Sequence, residues 1–199
     1  MKQSILFLLA LSLFACKKDS DNNDQPSSTA EFYFVGKIDG QLVRIELTPT
    51  NDIELTTTNG ASLGPPHCTF DYGTYISPID PSQNPQAEVN FAEYFNGDCG
   101  DESTVFNTLF PTGNQVFLNE TLGGKGAEMH FVDDSGNYSS ARGPQTSGQF
   151  VITKSEVAND PFGLGQSVTG TVACTLYDEF GGKKELTEGS FRLHFRPWF

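Results

Sequence analysis

Phe32-Tyr33-Phe34-Val35-Gly36-Lys37-Ile38-Asp39-Gly40-Gln41-Leu42-Val43-Arg44-Ile45-Glu46-Leu47 is the stretch whose reading decides the fold. Phe32, Phe34, Gly36 and Ile38 alternate toward one side, as a half-buried strand requires. Asp39-Gly40 then separates this run from a second one, Leu42 to Leu47. An Asp-Gly pair suits a type I′ turn, which needs positive φ at both central residues, so the two runs form a hairpin. The same grammar continues along the chain. Ile53 to Thr58 reads as a strand ended by Asn59-Gly60. Cys68 to Ile76, with Phe70, Tyr72, Thr74 and Ile76 in step, is the next. Ala87 to Phe95 follows, with Val89, Phe91, Glu93 and Phe95 on one face and Ala92 and Tyr94 on the other. Further strands are expected over Gln115 to Thr121, Ala127 to Val132, Tyr138 to Ala141, Gln149 to Lys154, Ser167 to Asp178 and Lys184 to Phe195. Gly123-Gly124, Ser135-Gly136-Asn137, Ser147-Gly148 and Gly181-Gly182 supply the turns.

One helix interrupts the strands. Asp101 is a suitable N-cap, and Val105, Phe106, Leu109 and Phe110 form one apolar face before Pro111 stops the run, so the segment should plug one end of the domain. Seventeen Phe and six Tyr beside 20 Gly favour pleated strands and tight turns. The expected fold is all-β: a single antiparallel β-sandwich or barrel-like domain over residues 31–199, with one short helix. A formal charge of −13 repels phosphate backbones and anionic headgroups, which makes nucleic acid a poor candidate partner, and none is expected.

Ahead of the domain, Lys2 precedes an apolar run from Ile5 to Phe14. It is far shorter than the roughly 20 residues of a membrane-spanning helix and fits a signal-peptide core. Leu13-Phe14-Ala15-Cys16 resembles the lipobox of bacterial lipoproteins. That resemblance implies cleavage after residue 15 and lipidation of Cys16, which makes residues 1–15 a leader. Residues 16–30, from Lys17-Lys18-Asp19 through Pro26-Ser27-Ser28-Thr29, hold no large apolar side chain and read as a solvated acidic tether. The Asp19, Asp21, Asn23 spacing lacks the glycine and glutamate of a calcium loop. The Lys and acidic run after the cysteine resembles that of surface-exposed lipoproteins of Bacteroidota, implying display on the outside of the outer membrane.

Of the remaining cysteines, Cys174 shares a face with Val168, Gly170, Val172 and Leu176 and so belongs to the core. Three pairings are open to Cys68, Cys99 and Cys174, and this periodicity leaves Cys68 with Cys99 as the disulfide of an exported protein.

Catalytic patterns fail on context. Gly60-Ala61-Ser62-Leu63-Gly64 fits the G-x-S-x-G nucleophile elbow, but Pro65-Pro66 blocks the helix that must follow, so a flexible turn is expected there. Gly124-Lys125 and Gly182-Lys183 lack the rest of a phosphate loop. His67, His130 and His194 have no metal-ligand spacing, and no metal or other cofactor is called for. Glu88, Glu93, Asp98, Asp101 and Glu102 crowd one strand and its loop, the raw material of a glycan hydrolase with two carboxylates across a groove. Tyr72, Tyr75, Tyr94, Tyr138 and Trp198 are the candidate stacking residues for a sugar, the competing reading being that they fill the core.

Gly36-Lys37-Ile38-Asp39-Gly40, Gly148 to Lys154, Val168-Thr169-Gly170-Thr171-Val172 and Leu186-Thr187-Glu188-Gly189-Ser190-Phe191 together resemble uncharacterised exported lipoproteins of Bacteroidota. The likeness covers both ends of the domain and is thin over residues 60–115. It implies a one-domain antiparallel β fold and transfers no functional residue. The functional expectation is a surface-tethered outer-membrane lipoprotein acting as a binding or envelope-associated module, for glycans or another envelope protein. Its rivals are a glycan-processing hydrolase and a purely structural envelope protein.

Mass spectrometry of the unreduced, membrane-extracted protein should find acyl chains on an N-terminal Cys16 and a Cys68–Cys99 bond that stabilises by roughly 3 to 4 kcal/mol. An intact, unmodified leader contradicts the anchor, and alkylation of Cys68 and Cys99 without reductant contradicts the disulfide.

Overall fold

A computed structural model describes residues 25–64, 67–80, 82–96, 101–119 and 124–197. Cys16, Asp98, Cys99 and Trp198 lie outside them, as do the leader and the first part of the expected tether. Among the described residues the order is β1 (Phe32–Ile38), β2 (Gln41–Leu47), β3 (Ile53–Gly64), β4 (His67–Pro78), β5 (Gln86–Asn96), α1 (Glu102–Thr108), β6 (Gly113–Gln115), β7 (Lys125–Asp133), β8 (Gly136–Ser139), β9 (Gln149–Asp160), β10 (Gly163–Tyr177) and β11 (Lys183–Phe195). The fold is all-β, a single antiparallel sheet curled into a sandwich-like domain, with the one short helix that the sequence predicts.

The strand order is β2-β1-β11-β10-β8-β7-β5-β4-β3. The long β10 forks the sheet: Gly163 to Ala173 pair with β9, and Tyr177 pairs with Ser139 of β8. The sheet is open between β2 and β3, which approach each other without strand pairing. Thr74 Oγ1 donates to the His194 carbonyl at 2.6 Å, tying β4 to β11 across the interior.

Local chemistry explains most boundaries. Asp39 and Gly40 have φ of 50° and 78°, the left-handed pair that an Asp-Gly hairpin turn needs. Asp101 caps α1 by accepting from Thr104 N at 3.0 Å. Two expectations are corrected. Asn59-Gly60 does not end β3, and Gly60 to Gly64 is not a turn: these residues pair with Asp71 to His67 of β4. Gly60 is needed because a Cβ there would overlap the Asp71 carboxylate. Of the strand expected over Gln115 to Thr121, residues 120 and 121 lie outside the described residues, and the described part is not one strand. Its start pairs with β9 through β6, after which Phe117 makes a parallel bridge to Ala127, so the segment passes from one ladder to another. The tether is also shorter than expected at its domain end. Ser27 N donates to Glu46 and the Gln25 carbonyl accepts from Arg44, both at 2.9 Å, which fastens this stretch to β2.

The inward face is aromatic. Phe91 lies at the centre, with the rings of Phe110, Phe195 and Phe150 at 5.1, 5.3 and 5.6 Å in edge-to-face contact. Val105, Phe106, Leu109 and Phe110 of α1 and its C-terminal turn are buried in the same cluster, so the helix packs its apolar face on the core as its spacing predicts. Phe91→Ala removes a fully enclosed ring and should cost about 3 to 5 kcal/mol, read as a lowered urea midpoint. A loss below about 1 kcal/mol contradicts this account of the core.

Candidate functional site

The candidate site is on the outward face of β3-β4-β5-β7-β8. Two rows of facing residues build it. In one, Thr56, Tyr75, Glu88, His130 and Ser139 stand opposite one another from strand to strand; in the next, Thr58, Gly73, Asn90 and Glu128 do. These positions alternate with the inward Phe70, Tyr72, Val89, Phe91, Met129 and Phe131, so strand periodicity alone turns the polar set outward. A cleft of about 330 Å³ opens there. Tyr75, Glu88 and His130 form its half-buried floor, while Glu54 and Asn137 are exposed at its rim.

Charge is held unusually deep here. Glu128 is 7 % exposed, with His130 Nε2 at 2.7 Å and the Ser139 hydroxyl donating at 2.5 Å to the same Oε1. Burial pushes Glu128 up, but the His130 hydrogen bond and charge, with hydrogen bonds from Ser139 and Asn90, hold it below its ordinary value. Burial pushes His130 down, and the Glu128 hydrogen bond and charge, helped by Glu88, outweigh burial and nearby Arg142 and raise it. Both directions describe one imidazolium–carboxylate pair. Glu88 differs: burial, with repulsion from Glu128 and Asp71, outweighs His130 and Thr58 and raises it. Burial also raises Asp71. Gly73 makes room for this arrangement, since a Cβ there would stand 2.6 Å from Glu88 Oε1 and overlap Thr58 Oγ1. Asn90 Oδ1 is buried with no hydrogen-bond partner among the described residues.

The four tyrosines expected to stack on a sugar do not share a surface. Tyr75 lines the cleft. Tyr72 and Tyr138 point inward and are buried, Tyr72 with its ring 4.9 Å from Phe106, so for these two the core reading replaces the stacking one. Tyr94 is 41 % exposed on the outward face but six residues from Glu88 along β5, about 20 Å away. The carboxylates expected to cluster are spread as well. Glu88 enters the cleft, Glu93 pairs with Lys125 at 3.2 Å, and Asp101 caps α1.

The histidines are also separated. His67 and His130 pair with Asn96 and Glu88, eight residues apart on β5. Among the described residues, no three His, Cys, Asp or Glu side chains converge as a metal site. His194 is sealed against Phe32 and Phe162, and its burial lowers its pKa. Asp160 Oδ2 stands 2.8 Å from its Nδ1, off the N–H direction. Cys174 is buried and is the free cysteine among the described residues, its thiol pushed up by burial to about 12. Cys68 is buried on β4, opposite Phe95.

Sequence reasoning missed Glu54, Asp71, Gln86, Glu128, His130 and Asn137 as site residues. The available signal was the Glu128-Met129-His130 alternation, which puts a carboxylate and an imidazole side by side on one face. No family model matches the chain, and neither does any curated protein or solved structure.

The ion pair has a pH signature. His130, raised above its ordinary value of 6.5, contributes stability that is complete below that value and is lost as pH rises through its folded pKa. Glu128, lowered below 4.5, contributes above that value and loses its part as pH falls through its folded pKa. An NMR titration should therefore place the His130 midpoint above 6.5, and Glu128→Gln should bring it down. An unshifted midpoint in the parent protein contradicts the pair.

Proposed function

We propose that the mature chain is an outer-membrane lipoprotein, anchored through Cys16 and facing the cell exterior, whose domain is a binding or envelope-associated module with the Tyr75–Glu88–His130 cleft as its recognition site for glycans. The lipobox-like leader and the polar stretch after it support the anchor. A Cys68–Cys99 disulfide belongs to the same reading: Cys174 is free and buried, and Cys68 is in register with Phe95, close in sequence to Cys99.

One observation carries the glycan reading. Tyr75 stands directly across from Glu88 in a walled cleft that also offers the Gln86 and Asn137 amides and the Ser77 hydroxyl. A ring face beside carboxylate and amide acceptors suits a sugar, which presents an apolar face and a rim of hydroxyls. Val132, Pro78 and Ala87 supply apolar wall.

The hydrolase reading has one observation of its own. Glu88 holds its proton more tightly than an ordinary carboxylate while Glu128 holds its own less tightly, the division that acid–base catalysis uses. Glu128, however, is enclosed by His130 and Ser139, which leaves Glu54 as the second carboxylate facing the cleft.

A glycan array probed with the mature protein should show binding to a subset of glycans, lost in Tyr75→Ala at an unchanged melting temperature. Turnover of a bound glycan that stops in Glu88→Gln while binding persists favours the enzyme. No binding at all, or binding indifferent to Tyr75→Ala, contradicts the cleft as the recognition site.

A further inference from the structure

The walls of the cleft carry an uneven charge. Glu88 is directly across from Tyr75, and Glu54 is its diagonal neighbour, because Glu54 pairs with Ser77 two residues further along β4. Two carboxylates therefore flank one aromatic ring, within the reach of opposite and diagonal neighbours in a sheet. The cation nearest them, His130, is already committed to Glu128 at 2.7 Å. Arg142 spends a guanidinium hydrogen bond on the Asn137 carbonyl at 2.9 Å, on the rim. Asp71 and Glu128 add negative charge behind Glu88.

We infer that the cleft selects a glycan unit bearing a free, protonated amine, held between Glu54 and Glu88 over the ring of Tyr75. This rests on reading the cleft as a sugar site and names the class of sugar. An ammonium group has three donors and no acceptor, which matches carboxylates and amide carbonyls, and its charge is attracted to an aromatic face. Charge-assisted hydrogen bonds to two carboxylates are the strongest contacts this lining offers. An acidic sugar meets repulsion at Glu54 and Glu88 and from a chain of net charge −13. An N-acetylated sugar keeps the ring contact but presents one amide hydrogen and no charge. Burial of Glu88 and repulsion from Glu128 and Asp71 outweigh the support its ionised form receives from His130 and Thr58, and an incoming ammonium adds to that support. A metal ion is a poorer fit, since no three ligating side chains converge there among the described residues.

Calorimetric titration of the full mature chain at about pH 6, where the amine of an amino sugar is mostly protonated, tests this with four probes. They are a β-linked glucosamine oligomer, the matched N-acetylglucosamine oligomer, a glucose oligomer of the same length, and 1,4-diaminobutane. The glucosamine oligomer should bind about tenfold or more tightly than its acetylated and neutral counterparts. That advantage should disappear in Glu54→Gln and Glu88→Gln, with melting temperatures showing both variants folded, and should shrink as salt rises to about 0.5 M. Equal binding of the three oligomers overturns amine selection and leaves the sugar reading standing. Diaminobutane binding as tightly as the glucosamine oligomer keeps the cation site and overturns the sugar reading. Binding of none of the four overturns both.

Discussion

The register of β5 between β4 and β7 is the constraint on which the rest depends. Tyr72, Phe91 and Ala127 stand in one inward row, while Tyr75, Glu88 and His130 stand in an outward one. Because side chains alternate strictly, a slip of one residue along either ladder would turn Phe91 to solvent and drive Glu88 into the aromatic cluster. Burial of a ring of that size favours the native register by about 2 to 3 kcal/mol, and exclusion of an unpaired carboxylate from the core adds several more. The interaction that places the core therefore also assembles the cleft. No separate device is needed to bring residues from three strands together.

The outward face is where the fold gives up stability. A carboxylate as buried as Glu128 is tolerated only with a cationic partner and hydrogen bonds, and His130, Ser139 and Asn90 provide them. Two glycines extend the same economy, with Gly60 and Gly73 leaving the space that the Asp71 and Glu88 carboxylates occupy. Hydrophobic residues of similar size would pack this surface at least as well, and perturbed ionisable groups beside a cleft are a mark of function. The aromatic interior carries stability, and the outward rows carry the buried charge.

Much of this is legible in the sequence where local chemistry decides. Asp39-Gly40 announces its hairpin because the turn itself demands those residues. Asp101 and the spacing of Val105, Phe106, Leu109 and Phe110 announce the helix in the same way. Asn59-Gly60 misleads, because its glycine answers to the Asp71 carboxylate on the next strand and not to a turn. Residues 115–118 mislead because their hydrogen bonds are shared between β9 and β7, which no local pattern records. The site divides along the same line. Tyr72 falls in step with Phe70, Thr74 and Ile76, so its parity already assigns it to the core and leaves Tyr75 outside. Glu88 is visible as one acid among several. Its pairing with His130, and that of His130 with Glu128, becomes visible only when the cross-strand register is known.

Recognition on the outward face of β3-β4-β5-β7-β8 is the proposal that ties the fold to a function. Amide and aromatic chemical-shift mapping with a bound oligosaccharide tests it most directly. Shifts should concentrate at Tyr75, Gln86, Glu88, His130 and Asn137, with the Tyr75 ring moving most. Shifts centred instead on Tyr94, or on the exposed hairpin tips at Phe180 and Leu164, would contradict it.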